Sequence, residues 1–143
     1  MEPLIELRFD SRADELRRVR DVVRKAMRAR GCAADELNFI VLAIDEACAN
    51  IIRHAYGVQP KGDIILEIFD DHGQAVFRLT DFADPVDANV IRPQPVDELS
   101  PGGLGVHFIN EIMDEVRFLD PPQGVGNILE MRKALTRKAA ELS

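Results

Sequence analysis

The sequence predicts an α+β fold, on three observations. Its start alternates like a strand, two helical stripes follow directly, and two later pairs of short β-rich segments flank a third helical stripe. In residues 4–9, Leu4, Glu6 and Arg8 alternate with Ile5, Leu7 and Phe9, the period of a half-buried strand. Ser11 followed by Asp14 reads as a capping-box helix start. Leu16, Val19, Val22, Val23 and Met27 then recur at helical spacing until Gly31 ends them. A second helix opens at Asp35 and Glu36, whose charges suit a helix amino terminus, and closes at Gly57. Its buried stripe is Leu37, Val41, Ile44, Cys48, Ile51, Ile52 and Ala55.

Residues 63–69 and 75–80 read as strands joined through Asp70, Asp71, His72 and Gly73 into a hairpin. Residues 81–101 carry Pro85, Pro93, Pro95 and Pro101 without periodicity, and a loop of that length inside a domain is usually functional or disordered. A third helix over about 105–114 turns Val106, Ile109, Ile112 and Met113 inward. Strands at 115–119 and 127–132, joined by a turn at 120–126, complete the order. No repeat or internal boundary interrupts it, so the 143 residues are expected to form one domain, with the charged tail 137–143 at the surface.

Composition narrows the function classes. A net charge of −7 argues against a general nucleic-acid binder, since counterion release rewards a basic surface. No apolar run approaches the roughly 20 residues of a membrane span, and the acidic amino terminus does not resemble a signal peptide. Cys32 and Cys48 form neither a metal spacing nor a disulfide framework, which suits a reducing, cytoplasmic compartment. Charge is uneven, however. Residues 11–31 hold eight basic side chains against three acidic ones, so that helix is +5 and the remainder −12. Such a helix suits an acidic partner as well as plain solvation.

Three features carry candidate chemistry. Glu46, Asn50, Arg53 and His54 interrupt the second apolar helix. Glu46 and Asn50 stand four apart, on one side of it, and a carboxylate beside a carboxamide can pair a general base with a ligand for a hard cation such as Mg²⁺. Asp81 lies where a strand runs out into the proline-bearing loop. There a carboxylate can accept an exocyclic amine such as that of adenine, or simply form a turn. Pro101, Gly102, Gly103, Leu104 and Gly105 precede a helix whose first amides favour anions such as phosphate, although a glycine run also serves as a hinge.

In this order, Glu46 and Asn50 on a helix, strand-end Asp81 with Pro85 and Asp87, then Gly103-Leu104-Gly105 leading into Met113-Asp114-Glu115-Val116 resemble the ATP-binding fold of gyrase, Hsp90, histidine kinases and MutL. Within it the chain is most similar to the bacterial anti-sigma-factor serine/threonine kinases, over about residues 4–137. The resemblance implies a two-layer sandwich, helices on one face of a mixed, mostly antiparallel sheet of about five strands. It also implies ATP and Mg²⁺ as cofactors. Glu46 would then activate the attacking hydroxyl, Asn50 would ligate the metal, and Asp81 would read the adenine amine. Gly103, Leu104, Gly105 and Val106 would line the phosphates, and residues 84–101 would be a lid. Arg53 and His54 would be pocket-side supports or structural residues.

The chain departs from the family pattern at two places. Ala83 stands where a glycine usually follows the adenine-reading carboxylate, a strained choice only if the backbone φ there is positive. Gly124, Gly126 and Asn127 stand loosely for the last glycine motif, with Asn127 counted by resemblance among the nucleotide-binding residues. By resemblance the partners would be a sigma factor and a STAS-type antagonist protein, phosphorylated on serine or threonine, with a homodimer plausible. The alternative is a regulatory binding module of the same fold that phosphorylates nothing. A sensor histidine kinase catalytic domain is the third reading, disfavoured because no phosphoacceptor helix pair precedes the first strand and His54 lies inside the pocket helix.

Overall fold

Alternating apolar side chains build five strands in the computed structural model: β1 (Ile5–Asp10), β2 (Asp63–Asp71), β3 (Gln74–Asp81), β4 (Glu115–Leu119) and β5 (Asn127–Ala134). The structure describes residues 2–55, 62–83, 101–122 and 124–135, without side chains at 54, 55 and 101–106. The helix end expected at Gly57, the lid over 84–100 and the tail 137–143 lie outside the described residues. One sheet of order β1-β2-β3-β5-β4 forms, with all four pairings antiparallel. The mostly antiparallel five-stranded sheet expected from the sequence is therefore present, and no parallel pair occurs among the described strands.

The β2–β3 hairpin turns through two residues of positive φ, His72 (54°) and Gly73 (88°). That is the turn geometry whose twist matches antiparallel strands. Asp70 Oδ1 accepts a hydrogen bond from the Gly73 N–H at 2.9 Å and holds the turn closed.

Three helices follow the predicted order: α1 (Leu16–Ala29), α2 (Ala34–Asn50) and α3 (Pro101–Ile112). One face of α1 buries Leu16, Val19, Val23, Ala26 and Met27, each large apolar side chain contributing roughly 1.5–3 kcal/mol. They join Ile40, Ile44 and Cys48 of α2 and, from the sheet, Phe9, Leu66, Ile68, Phe77, Leu79 and Met131 in a single core. Register makes these sheet residues one face: Leu7 opposes Leu66, Leu66 opposes Leu79, and Leu79 opposes Leu129. Among the described residues no helix is long and apolar enough to cross a membrane.

Two boundaries differ from expectation. Ser11 does not cap α1. It is buried, its hydroxyl accepts the Gly62 N–H at 3.1 Å, and its own N–H donates to the Gly62 carbonyl at 2.9 Å. A 3-10 turn at Ala13–Glu15 leads into α1 instead. The pair fastens the end of β1 beside the start of β2, a non-local use of a hydroxyl that outcompetes the local cap. Secondly, α3 begins at Pro101 rather than near Gly105. Proline's fixed φ suits the first helical position, where its missing N–H costs nothing. Gly102, Gly103 and Gly105 thus lie in the opening turns of the helix.

Candidate functional site

Strand pleat and register bring Asp81 and Asn127 together. Asp81 is the last residue of β3, Asn127 the first of β5, and they face each other in the ladder on the helix side of the sheet. Asp81 is only 2% exposed. Its Oδ1 accepts the Ala83 N–H at 3.1 Å and an Asn127 Nδ2–H at 3.0 Å, while the Asp81 carbonyl accepts the Gly126 N–H at 2.9 Å. Burial pushes the carboxyl above its ordinary range, and the bonds from Asn127 and Ala83 only partly offset that. Both of these bonds fall on Oδ1, and the Asn127 backbone N–H donates to the carboxylate as well, so every donor to Asp81 is neutral.

Gly126 makes this arrangement possible. A Cβ there would lie 2.0 Å from the Ala83 carbonyl oxygen and 2.8 Å from Asp81 Oδ1. Only glycine lets the two segments approach so closely. Ala83 is unstrained: among the described non-glycine residues positive φ occurs only at His72, and the Ala83 methyl is buried in the core cluster. Its departure from the family's glycine therefore carries no backbone strain.

Asn50 ends α2, and the helical path continues as a π turn over Ile51–Ala55. Widened turns of this kind are frequent at functional sites. Asn50 is 1% exposed. Its Oδ1 accepts Arg53 Nη2 at 2.5 Å, whereas its Nδ2 is buried with no partner among the described residues. A buried amide left unsatisfied costs about 1–3 kcal/mol, so this carboxamide is a candidate for a contact beyond the described residues. Glu46, one turn earlier, is half-buried. Arg53 is exposed at its side of the turn, and the His54 side chain lies outside the described set.

Distances along the elements put these pieces at one end of the sandwich. Lys133 near the end of β5 lies 4.0 Å from Glu36 near the start of α2. From that point Asn127 is about 20 Å back along the strand and Asn50 about 21 Å on along the helix. The Asp114 N–H just after α3 donates to the Arg132 carbonyl, so the amino-terminal turn of α3, about 17 Å away, points toward the Asn127 end. That turn carries Gly103, Leu104, Gly105 and Val106, whose side-chain surroundings are not described.

The donor set fits a magnesium nucleotide. Among the described residues no group of three His, Cys, Asp or Glu could hold a metal. Mg²⁺ bound with phosphates needs only one or two protein oxygens besides water, and the Asn50 carboxamide offers one. Helix-start amides suit phosphate oxygens, and a buried carboxylate held only by neutral donors suits an amine. Sequence reasoning selected Asp81, Asn127 and Asn50. It gave weight to the glycines before α3 and named Gly126 only as part of a loose glycine motif, without the close approach that makes glycine necessary there.

Fold and site define a histidine kinase-like ATPase domain: the family model of that description matches residues 9–133, and the chain belongs to this family. The "Serine-protein kinase RsbW" of Halalkalibacterium halodurans is 27% identical over 141 residues, covering 93% of this chain and 84% of the relative. The protein of the same name from Bacillus velezensis is 27% identical over 123 residues, covering 79% and 76%. Among solved structures, the RsbU and RsbW domains of a Mycobacterium tuberculosis protein match with a TM-score of 0.64 at 20% identity. That match covers 96% of this chain and 34% of that one. A histidine kinase domain from Erythrobacter litoralis matches with a TM-score of 0.55 at 16% identity, over 86% and 60%. Both structures share the fold.

Proposed function

We propose that this protein binds ATP with Mg²⁺ and transfers the γ-phosphoryl group to a serine or threonine of an antagonist protein, acting as a cytoplasmic anti-sigma factor that releases its sigma factor when the antagonist takes its place. The observation that carries the nucleotide half is Asp81, a buried carboxylate held only by neutral donors, the N–H groups of Ala83 and Asn127. The adenine amine would donate to this carboxylate. Asn127 and Ala83 hold the carboxylate plane, and Gly126 keeps the approach open. The helix-start amides of Gly102, Gly103 and Leu104 would take phosphate oxygens. The partner half rests on the likeness to relatives named serine-protein kinases.

In the transfer step the acceptor hydroxyl oxygen bonds to the γ-phosphorus as the bond from that phosphorus to the β,γ-bridging oxygen breaks, ADP departs, and the hydroxyl proton passes to Glu46. Mg²⁺ would supply charge neutralisation on the phosphates, held on the protein side by Asn50. Glu46 is half-buried, one helical turn from Asn50, so base and metal ligand share one helix face.

One observation favours a second reading. The Asn50 oxygen already receives the Arg53 guanidinium at 2.5 Å, so a metal on its second lone pair would meet a neighbouring positive charge. A protein in which Arg53 keeps that place would bind its partners, with or without nucleotide, and phosphorylate nothing. Calorimetric titration of ATP with and without Mg²⁺ separates the two, with Asp81→Asn and Asn50→Ala as controls. Metal-dependent binding weakened in both variants, followed by radiolabel transfer to an antagonist, is expected of the kinase. Metal-independent binding unaffected by Asn50→Ala gives the second reading. No binding by folded wild type removes the nucleotide assignment altogether.

A further inference from the structure

The end of the sandwich away from Asp81 holds a groove that the nucleotide chemistry does not use. Phe39, Phe108 and Ile112 form its apolar floor between α2 and α3, within a cavity of about 480 Å³. Phe39 and Phe108 lie with ring centroids 6.4 Å apart and tilted by 50°, yet Phe39 remains 53% exposed. Leu42, one turn further along α2, is 45% exposed. Single exposed apolar side chains are ordinary, but here they line up with a cavity between two helices, the arrangement that marks a binding surface.

Charge around the floor is mostly negative. Asp35, Glu36 and Glu111 line the groove, and Asp114 lies just beyond. Among the described residues lining it the one cation is Lys133, drawn to Glu36 at 4.0 Å and to Asp114 at 3.7 Å, so its charge is already answered. The mouth is therefore acidic over an apolar base. An acidic occupant would be repelled by this net negative rim, which favours a basic one.

We propose that this groove docks a segment of a protein partner that presents Leu or Phe flanked by Lys or Arg. The apolar side chain enters beside Phe39 and Phe108, and the basic groups face Asp35, Glu36 and Glu111. An amphipathic helix laid between α2 and α3 meets both requirements, as in other helix-in-groove complexes. The docking does not depend on nucleotide. It has a geometric consequence all the same: Leu42 is one turn from Glu46 on the same helix side and Phe39 about 10 Å from it along the axis, so an occupant extending along α2 arrives at the turn that carries Glu46.

The test uses the full chain and a fluorescein-labelled amphipathic peptide of about 15 residues, with Leu and Phe at i, i+3, i+4 and i+7 and Lys and Arg on both flanks. Fluorescence anisotropy should show saturable binding to wild type, weakened about tenfold or more by Phe39→Ser. Glu111→Lys, and a peptide with Glu in place of Lys and Arg, should each weaken binding severalfold, more at low salt than at high. Phe39→Ser must keep the wild-type response to ATP and Mg²⁺, which separates failure at this groove from failure of the nucleotide site. The proposal is overturned if wild type does not bind the peptide, if Phe39→Ser binds it equally well, or if the Glu-flanked peptide binds as tightly. It is also overturned if sedimentation shows a wild-type dimer that Phe39→Ser dissociates while the peptide does not compete, since a second copy would then be the occupant.

Discussion

Two buried carboxylates sit on opposite faces of the same sheet and are treated in opposite ways. Asp81, on the helix side, receives only neutral donors, the Ala83 N–H and the Asn127 amide, and burial raises its pKa. Glu130, 1% exposed on the far side and opposite Arg78 in the ladder, accepts Arg78 Nε at 2.7 Å, Arg132 Nε at 2.9 Å and Arg117 Nη2 at 3.2 Å. Burial would raise its pKa too, but the hydrogen bonds from Arg78, Arg132 and Arg117 outweigh it and hold the carboxyl below its ordinary value. Neutral donors orient a charge without compensating it; guanidinium groups do both. Glu130 is thus a closed structural unit, with Arg78 also stacked 4.6 Å over the Phe69 ring. Asp81 keeps a charge that its neutral donors do not compensate, the property a ligand site needs.

If that contrast holds, the largest stability loss comes from Glu130→Ala. The substitution removes the acceptor shared by three guanidinium groups, and breaking a buried pair on one side costs about 3–5 kcal/mol. Urea unfolding at neutral pH measures it. Because the folded pKa is lowered, Glu130 stabilises above its ordinary value and loses that contribution as pH falls through the folded value. The gap between wild type and variant should therefore narrow in acid. A gap that stays constant with pH would mean that packing, and not charge, holds this face together.

Gly126→Ala ranks next. The new methyl meets the backbone of Ala83 at 2.0 Å, so β5 or the segment after β3 must shift, a cost of about 2 kcal/mol. Asp81 loses its alignment with it, and ATP affinity should fall together with the melting temperature. Gly124→Ala is the sharper control. Gly124 has φ +90° with nothing within 4 Å of an added Cβ, so the variant pays about 1 kcal/mol in backbone strain and should leave nucleotide titrations unchanged. Equal effects at the two glycines would break the argument from close approach.

What the chain discloses in advance follows the range of the interactions. Period-two and period-3.6 patterns are local, so strands at 63–69 and 115–119 and the α1 stripe were legible, and the pleat made Asp81 a strand-end residue. Ser11 misled because its hydroxyl serves Gly62, 51 positions away, where local pattern sees only a cap. The Glu130 cluster was invisible for the same reason: its partners come from three positions, Arg78 on β3, Arg117 on β4 and Arg132 on its own strand. The π turn after Asn50 has no residue signature, yet it sets Arg53 against the carboxamide. The glycines before α3 attracted attention by composition. Gly126 matters more to the described site, through a contact that only the folded chain reveals.

Asn127→Ala should cost about 1 kcal/mol, the net worth of one hydrogen bond, read as a lower urea midpoint with a modest loss of ATP affinity. The smallest stability effect, and the only one of opposite sign, is expected from Asp81→Asn. The amide oxygen can still accept from Ala83 and Asn127, while the charge that burial disfavours is gone. A carboxyl whose folded pKa is raised binds protons more readily folded than unfolded, so wild-type stability declines as pH rises from the ordinary carboxylate value through the raised folded one. The variant lacks that decline. Its melting temperature should equal the wild type's in acid and exceed it slightly from neutral pH upward, while ATP binding is weakened throughout. Thermal scans across pH, paired with titration at one pH, read both. If Asp81→Asn were destabilised at neutral pH as Glu130→Ala is, Asp81 would be another structural acid, and the distinction between the two faces of the sheet would fall.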